Sequence, residues 1–473
     1  MAPEMSIHNR RWVALVVLCL GQLMIVLDTT VVNVVLPVIQ RQLHFAAADL
    51  SWVVDAYLIS FGSFLLVAGR LGDILGRKKV FLTGVALFTS ASAVCGLAAT
   101  PIILIIGRFG QGLAAAITAS VILGIIAAEF PSSVDRARAV GVFAFVGVAG
   151  GALGLLVGGA VAQAASWHWV FLINLPIGIV TFGLGRVLIV DRPPTRDTRH
   201  LDLTGALLIT VSVMLLVYAI AESDGNGWTS AKTLGLLSAA AGLLIAFIAV
   251  EARVAAPLLP LRLVMRPGPA ANFAVRGLLS VALIAPFYLT VLYLQHVRHY
   301  NAVRTGLAYL PQASTIGLVS ILFTARIMRW KGPKATMVAG LVVVAGGEWL
   351  LGRLGPSSSY MSGVLPAVVL IGFGSALAFT PTVTMALEGA PAADAGVVSA
   401  LINVTQQLSS AVGVAVVASV AAAGARSMES GGTSLPIALV GGYDRGYAVV
   451  LGCALAAVVI AVLSPAHGGQ DHH

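Results

Sequence analysis

The chain has 473 residues, 58% of them hydrophobic and only 10% charged, with a mean hydropathy of +0.97. That composition lies far outside the soluble globular range and excludes a water-soluble enzyme core. The net charge of +9 falls in short loops between apolar runs, where basic residues meet anionic lipid headgroups, so it does not imply a nucleic-acid partner.

The apolar runs are continuous and do not alternate, which excludes an outer-membrane barrel and leaves helices as the way to satisfy backbone groups in lipid. About 20 apolar residues cross ~30 Å of hydrocarbon. On that measure the sequence predicts fourteen spans, at 12–38, 50–71, 80–99, 102–126, 137–163, 168–190, 203–222, 233–251, 272–295, 304–328, 334–353, 362–386, 394–422 and 444–464. The fold class is all-α and polytopic. With both termini in the cytoplasm, eighteen Lys and Arg fall in inner loops and seven in outer loops, the positive-inside pattern. Cys19, Cys95 and Cys453 lie far apart in apolar spans and read as packing residues, with no metal or redox spacing.

Taken in order, the first span carries LDTTVVNVVLP (27–37) with Asp28 and Asn33, and the second carries Asp55 in SWVVDAYLIS. A charged stretch, GRLGDILGRKK (69–79), reads as a tight loop in which Gly69, Gly72 and Gly76 permit close approach or a sharp turn. Asp73 and Arg77 can pair there, with Arg70 and Lys78 beside them. The fourth span contains Arg108 and Gln111 in IIGRFGQGLAAA (105–116). The fifth has Gly147, Gly150, Gly151, Gly154, Gly158 and Gly159, whose spacing suits close, sliding helix contacts. The sixth opens with WHWVFLINLPIG (167–178) and holds Asn174.

DRPPTRDTRHLD (191–202) reads as a polar linker, followed by two further spans and a Pro-rich interfacial strip, PLLPLRLVMRPGP (257–269). ARIMRWKGPK (325–334) repeats the frame of 69–78: Arg326, Gly332 and Lys334 answer to Arg70, Gly76 and Lys78, whereas Arg329 replaces the acid at 73. Duplicated halves of this kind build transport sites near mid-membrane. Asn403 and Gln406 in the thirteenth span join Asn33, Gln111 and Asn174 as candidates to line a cavity or bond between helices. Arg276 and Glu348, near span ends, read as snorkelling side chains.

Ionisable groups within spans cost about 2.5–3.5 kcal/mol and mark function unless paired. By helical rise Asp28, Asp55 and Arg108 sit about 15, 7 and 10 Å from the outer end of their spans, so one arginine can neutralise one carboxylate and leave the other to take a proton.

The ordered set of LDTTVVNVVLP, GRLGDILGRKK, the Arg108–Gly110 stretch and WHWVFLINLPIG resembles the fourteen-span drug:proton antiporter branch of the major facilitator superfamily, densely through the first half of the chain. The resemblance implies two six-helix bundles plus two inserted central helices, with an N-terminal half at 1–190, a linker at 191–202, the inserted pair at 203–251, an interfacial linker at 252–271 and a C-terminal half at 272–473. It implies proton-coupled efflux of small amphipathic compounds such as antibiotics, dyes or secondary metabolites by alternating access, with roles in proton transfer for Asp28 and Arg108. Asp55 stands where many relatives carry Thr. The glycine-rich fifth span resembles the antiporter signature, but Leu155 replaces the proline that normally follows its glycine.

The expected partners are a small-molecule substrate, protons and membrane lipids, with no nucleic acid, no cofactor and no metal. The expected setting is the bacterial cytoplasmic membrane, and the expected state a monomer. The competing readings are a dedicated exporter of one lipid or metabolite and a non-transporting membrane sensor. A membrane enzyme would need a His, Cys or Asp cluster at one bilayer face, and the sequence shows none.

Overall fold

The computed structural model describes residues 7–45, 50–164, 166–191, 202–254, 257–388 and 394–464. Among them the regular structure is helical throughout: α1 (Ile7–Gln42), α2 (Trp52–Leu75), α3 (Arg77–Gly96), α4 (Pro101–Glu129), α5 (Ser133–Ala164), α6 (His168–Leu172), α7 (Asn174–Leu188), α8 (Leu203–Asn226), α9 (Ala231–Glu251), α10 (Arg262–Met265), α11 (Pro267–Leu292), α12 (Ala302–Val319), α13 (Ala325–Lys331), α14 (Pro333–Leu351), α15 (Leu365–Glu388), α16 (Ala395–Ser430) and α17 (Leu435–Leu463). Within these, fourteen stretches are long and apolar enough to cross a membrane, α6–α7 forming one and α12–α13 another. The chain is a multi-pass membrane protein.

Local signals set the helix ends. Thr100 and Ser230 accept from the amides of Ile103 (3.4 Å) and Thr233 (3.1 Å), and Asn301 from that of Arg304 (2.8 Å), satisfying donors that a helix start leaves free. Pro101, Pro267 and Pro333 occupy first turns, where no amide is needed. Single π-helical turns at Tyr293–Val297, Ser320–Thr324 and Tyr360–Val364 extend α11 and α12 and begin the α15 span.

The chain forms two compact units. The first comprises residues 1–132, 153–261 and 390–404, and the second 133–152, 262–389 and 405–473, so α5 and α16 each lend residues to both. In the first unit, Val31, Val35, Val53, Leu104, Trp167 and Phe171 form a buried cluster. The α8–α9 pair belongs to this unit: Ser212 Oγ donates to the Ala240 carbonyl at 2.8 Å, Trp52 of α2 stacks on Tyr218 of α8 at 5.7 Å, and Gly62 lets α8 side chains Val213 and Val217 approach α2. Glu251 at the end of α9 accepts from the amides of Leu258 (3.2 Å) and Leu259 (3.0 Å), which anchors the Pro-rich strip. In the second unit, Leu279, Leu289, Val344, Ile371, Tyr447 and Val450 belong to one large apolar core.

GRLGDILGRKK is not a loop. α2 continues to Leu75 and α3 begins at Arg77, leaving Gly76 alone between them at φ 95° and ψ 128°. A positive φ of this kind is open to glycine and turns the chain in one residue, so the charged residues on either side stay helical. Gly332 does the same between α13 and α14 at φ 83° and ψ 160°.

Candidate transport site

Four of the polar residues singled out in the sequence meet in the first unit. Asp28 from α1 is 1% exposed and Arg108 from α4 is 1% exposed, and the two form an ion pair through Arg108 Nη1 and Asp28 Oδ2. The same Nη1 donates to Gln111 Oε1 at 2.9 Å, and Arg108 Nε donates to the Val53 carbonyl of α2 at 2.8 Å. Gln111 Nε2 and Asn174 Nδ2 donate to Asp28 Oδ1 at 2.9 and 3.2 Å, and both also donate to Ser92 Oγ of α3, at 2.8 and 3.4 Å. The guanidinium lies 4.4 Å from the Tyr57 ring centroid and 5.8 Å from that of Phe171, close enough for attraction to the ring faces.

Five helices therefore converge on one carboxylate that accepts from three side chains. An isolated buried charge would be very costly. Here the guanidinium and two amides compensate it, which makes the network a single cooperative unit that responds to any change in the charge of Asp28. Two polar atoms beside it, Asn174 Oδ1 and the Tyr57 hydroxyl, have no hydrogen-bond partner among the described residues.

Asp55 stands half-buried in the first turn of α2, two residues from the carbonyl that holds Arg108. Sequence reasoning missed Ser92 and Tyr57, and it read Cys95 as packing alone, whereas its thiol donates to Gln111 Oε1 at 3.2 Å. Ser92 and Cys95 are three apart on α3 and so share a face, the one signal available in the sequence. Asn33 lies in α1 with its side chain outside the described residues, as do the side chain of Leu155 and the Cβ environment of Gly159. The other two candidates part ways: Asn403 Nδ2 donates to the carbonyls of Ser399 (2.9 Å) and Ala119 (3.2 Å) in the first unit. Gln406 accepts from Arg276 Nη2 at 2.5 Å in the second.

The glycines of α5 do not behave alike. A Cβ on Gly154 would collide with Thr30 of α1, so that position holds a close helix contact, and Gly158 is buried. A Cβ on Gly147 or Gly151 would meet no heavy atom within 4 Å.

The 69–78 stretch is a second buried polar centre of the first unit. Asp73, 1% exposed, accepts from Arg77 Nε (3.2 Å) and Nη2 (2.9 Å), and from the backbone amides of Gly396 (3.0 Å) and Val397 (3.1 Å) in the first turn of α16. A carboxylate at a helix N-terminus meets both free amides and the positive end of the helix dipole. Gly69 and Gly72 make room for this clamp: a Cβ at 69 would lie 2.5 Å from Ala400 Cβ and 2.8 Å from the Gly396 carbonyl, and one at 72 would strike Val121. Arg70 is fully buried, and Lys78 Nζ donates to the Arg186 carbonyl at 2.8 Å.

Snorkelling is overturned for both residues assigned to it. Arg276 is 3% exposed, with its guanidinium 3.9 Å from the Phe379 ring centroid, and Glu348 is 0% exposed. α11 starts at Pro267, which puts Arg276 nine residues inside the helix, and neighbouring helices cover Glu348 although α14 ends three residues later.

An interior ion pair in a bundle of membrane-crossing helices marks a functional site, of the kind that transporters use. The chain belongs to the Major Facilitator Superfamily, whose family model matches residues 18–414. It is 36% identical over 454 residues to a cephamycin export protein of Amycolatopsis lactamdurans, covering 96% of this chain and 91% of that one. It is also 36% identical to a puromycin resistance protein of Streptomyces alboniger (95% and 90% covered) and 34% identical to a lincomycin resistance protein of Streptomyces lincolnensis (89% and 86%). Among solved structures it shares its fold with the human organic anion transporter MFSD10 (TM-score 0.66, 14% identity, 95% of this chain and 99% of that one). The proton:xylose symporter XylE is similar to the same degree (TM-score 0.67, 13% identity, 96% and 95%).

Proposed function

We propose that this protein is a proton-coupled exporter of small amphipathic antibiotics, working by alternating access in a bacterial plasma membrane with both termini cytoplasmic. The observation that carries the reading is the closed network around Asp28. A proton arriving on that carboxylate removes the charge that holds Arg108, so the guanidinium must find new partners and the five helices sharing the network must readjust. Binding of a proton is thereby tied to a change in the first unit. Asp55, close by on α2, is the reserve proton acceptor, and the unpartnered Asn174 Oδ1 and Tyr57 hydroxyl are the polar groups nearest the pair for a substrate to meet.

The driving force sets limits on the cargo. One proton entering down ~100 mV supplies about 2.3 kcal/mol, and each pH unit adds about 1.4. Exchange of one proton for one monovalent cation cancels the voltage share, whereas a neutral compound keeps it. The names of four relatives each point to one compound or class (cephamycin, puromycin, lincomycin and, for a Streptomyces glaucescens relative 30% identical, tetracenomycin C), whereas a Mycobacterium tuberculosis relative 35% identical is named a multidrug resistance protein. A dedicated exporter of one such compound is therefore the second reading.

The test is flux of puromycin and lincomycin in proteoliposomes under an imposed pH gradient, comparing wild type with Asp28→Asn. Asn keeps the shape and an acceptor but cannot cycle a proton, so gradient-driven accumulation should vanish while exchange of labelled compound across the membrane persists. Full coupling in the variant would move the proton site away from Asp28.

A further inference from the structure

The second unit holds its own buried acid, and it is built the opposite way from Asp28. Glu348 lies three residues from the end of α14, is 0% exposed, and neither of its carboxyl oxygens has a hydrogen-bond partner among the described residues. Val344, Ala345 and Leu351, three or four residues away on the same helix, and Ile371 of α15 belong to the large apolar core of this unit.

The titratable groups near it are two phenols, Tyr309 from α12 and Tyr447 from α17. Tyr447 shares a 2.8 Å hydrogen bond with Thr290 of α11, and the Tyr309 hydroxyl donates to the Phe287 carbonyl at 3.2 Å. The other charges on the packed helices are engaged or turned elsewhere. Glu388, the ionisable residue of α15, pairs with Arg136 at 3.5 Å, and Arg276 of α11 is held by Gln406 and Phe379. Arg353, just past α14, lies 4.0 Å over Trp349. Tyr360, in the turn before α15, donates to the Ala308 carbonyl at 2.8 Å.

An ionised carboxylate with no cation and no donor is not tolerated in such a place, and a side chain kept only for packing would carry no carboxyl there. We propose that Glu348 is a second proton-binding site of the transporter, located in the second unit, that carries its proton in the conformation seen here. It releases that proton to water when the end of the unit formed by Tyr309, Tyr447 and Thr290 becomes hydrated. The O–H bond of the carboxyl breaks, the proton leaves as hydronium, and the solvated carboxylate takes a proton back before it is buried again. The inference rests on the proton-coupled reading for its purpose, but the site itself is testable without any cargo.

The experiment uses the full chain in liposomes as wild type, Glu348→Gln and Glu348→Asp. Infrared difference spectra across a pH step should show loss of a protonated-carboxyl carbonyl stretch in wild type, a displaced version of the same band in E348D, and no such band in E348Q. In parallel, puromycin accumulation at a fixed gradient of one pH unit should fall about tenfold in E348Q, the share of one proton. A band that survives in E348Q, or that no pH step alters in wild type, overturns the site. A Glu348-dependent band in a protein that moves no puromycin under a gradient leaves the site standing and removes the coupled-export reading instead.

Discussion

The two glycine-broken hairpins, α2–Gly76–α3 and α13–Gly332–α14, share a backbone and differ in almost everything attached to it. Both turn at one positive-φ glycine. In the first, Arg70 and Asp73 are buried, and Asp73 clamps the start of α16. In the second, the corresponding Arg326 and Arg329 are exposed. The duplicated frame therefore preserves the turn and discards the clamp. The turn needs only a residue free of Cβ, whereas the clamp needs an acid, two glycines for clearance and a helix start to receive it. Arg329, an exposed cation where the first hairpin has Asp73, cannot accept from helix-terminal amides as that acid does.

The largest effect that would sharpen this contrast is expected from Asp73→Ala. It deletes the acceptor of four hydrogen bonds and leaves Arg77 without its carboxylate, a loss of about 3–5 kcal/mol for a buried pair broken on one side. Thermal unfolding in detergent should show a clear fall in Tm, and proteoliposome flux should fall with it. An unchanged Tm would mean that the clamp contributes nothing to this state. Next in size is Gly69→Val: its Cβ meets Ala400 and the Gly396 carbonyl, and forcing α2 away from the first turn of α16 costs about 1–3 kcal/mol.

The first hairpin also shows what the sequence could and could not disclose. Hydropathy ends a span near the first cluster of charges, so the run from Gly69 to Lys79 read as loop. One glycine makes the whole turn, and the charges sit on helices. Asp28, Arg108, Gln111 and Asn174 were legible because strong polar groups inside apolar spans are costly and so conspicuous. Ser92, Tyr57 and the thiol of Cys95 were not, because each is ordinary in a membrane helix and gains its role only when α2 and α3 approach the pair. Glu348 was misplaced for a related reason: distance to a helix end was legible, but burial there comes from packing against other helices, α15 next in the chain and α17 far along it.

The smallest predicted effects test the comparison most strictly. Gly76→Ala and Gly332→Ala each put a Cβ on a positive-φ residue, at roughly 1–3 kcal/mol. A Cβ at Gly332 meets no atom within 4 Å, so the backbone term acts alone there. Both variants should lose stability on that scale in the same melting assay, Gly332→Ala through the backbone alone. They should differ in flux, since disturbing Gly76 moves Asp73 three residues away, and disturbing Gly332 moves only exposed arginines. Arg329→Gln closes the series: an exposed side chain changed without touching a buried partner should shift stability by less than about 0.5 kcal/mol. A loss of flux in Arg329→Gln matching that in Asp73→Ala would show that the second hairpin keeps a working clamp of its own, with a basic residue in the acid's place.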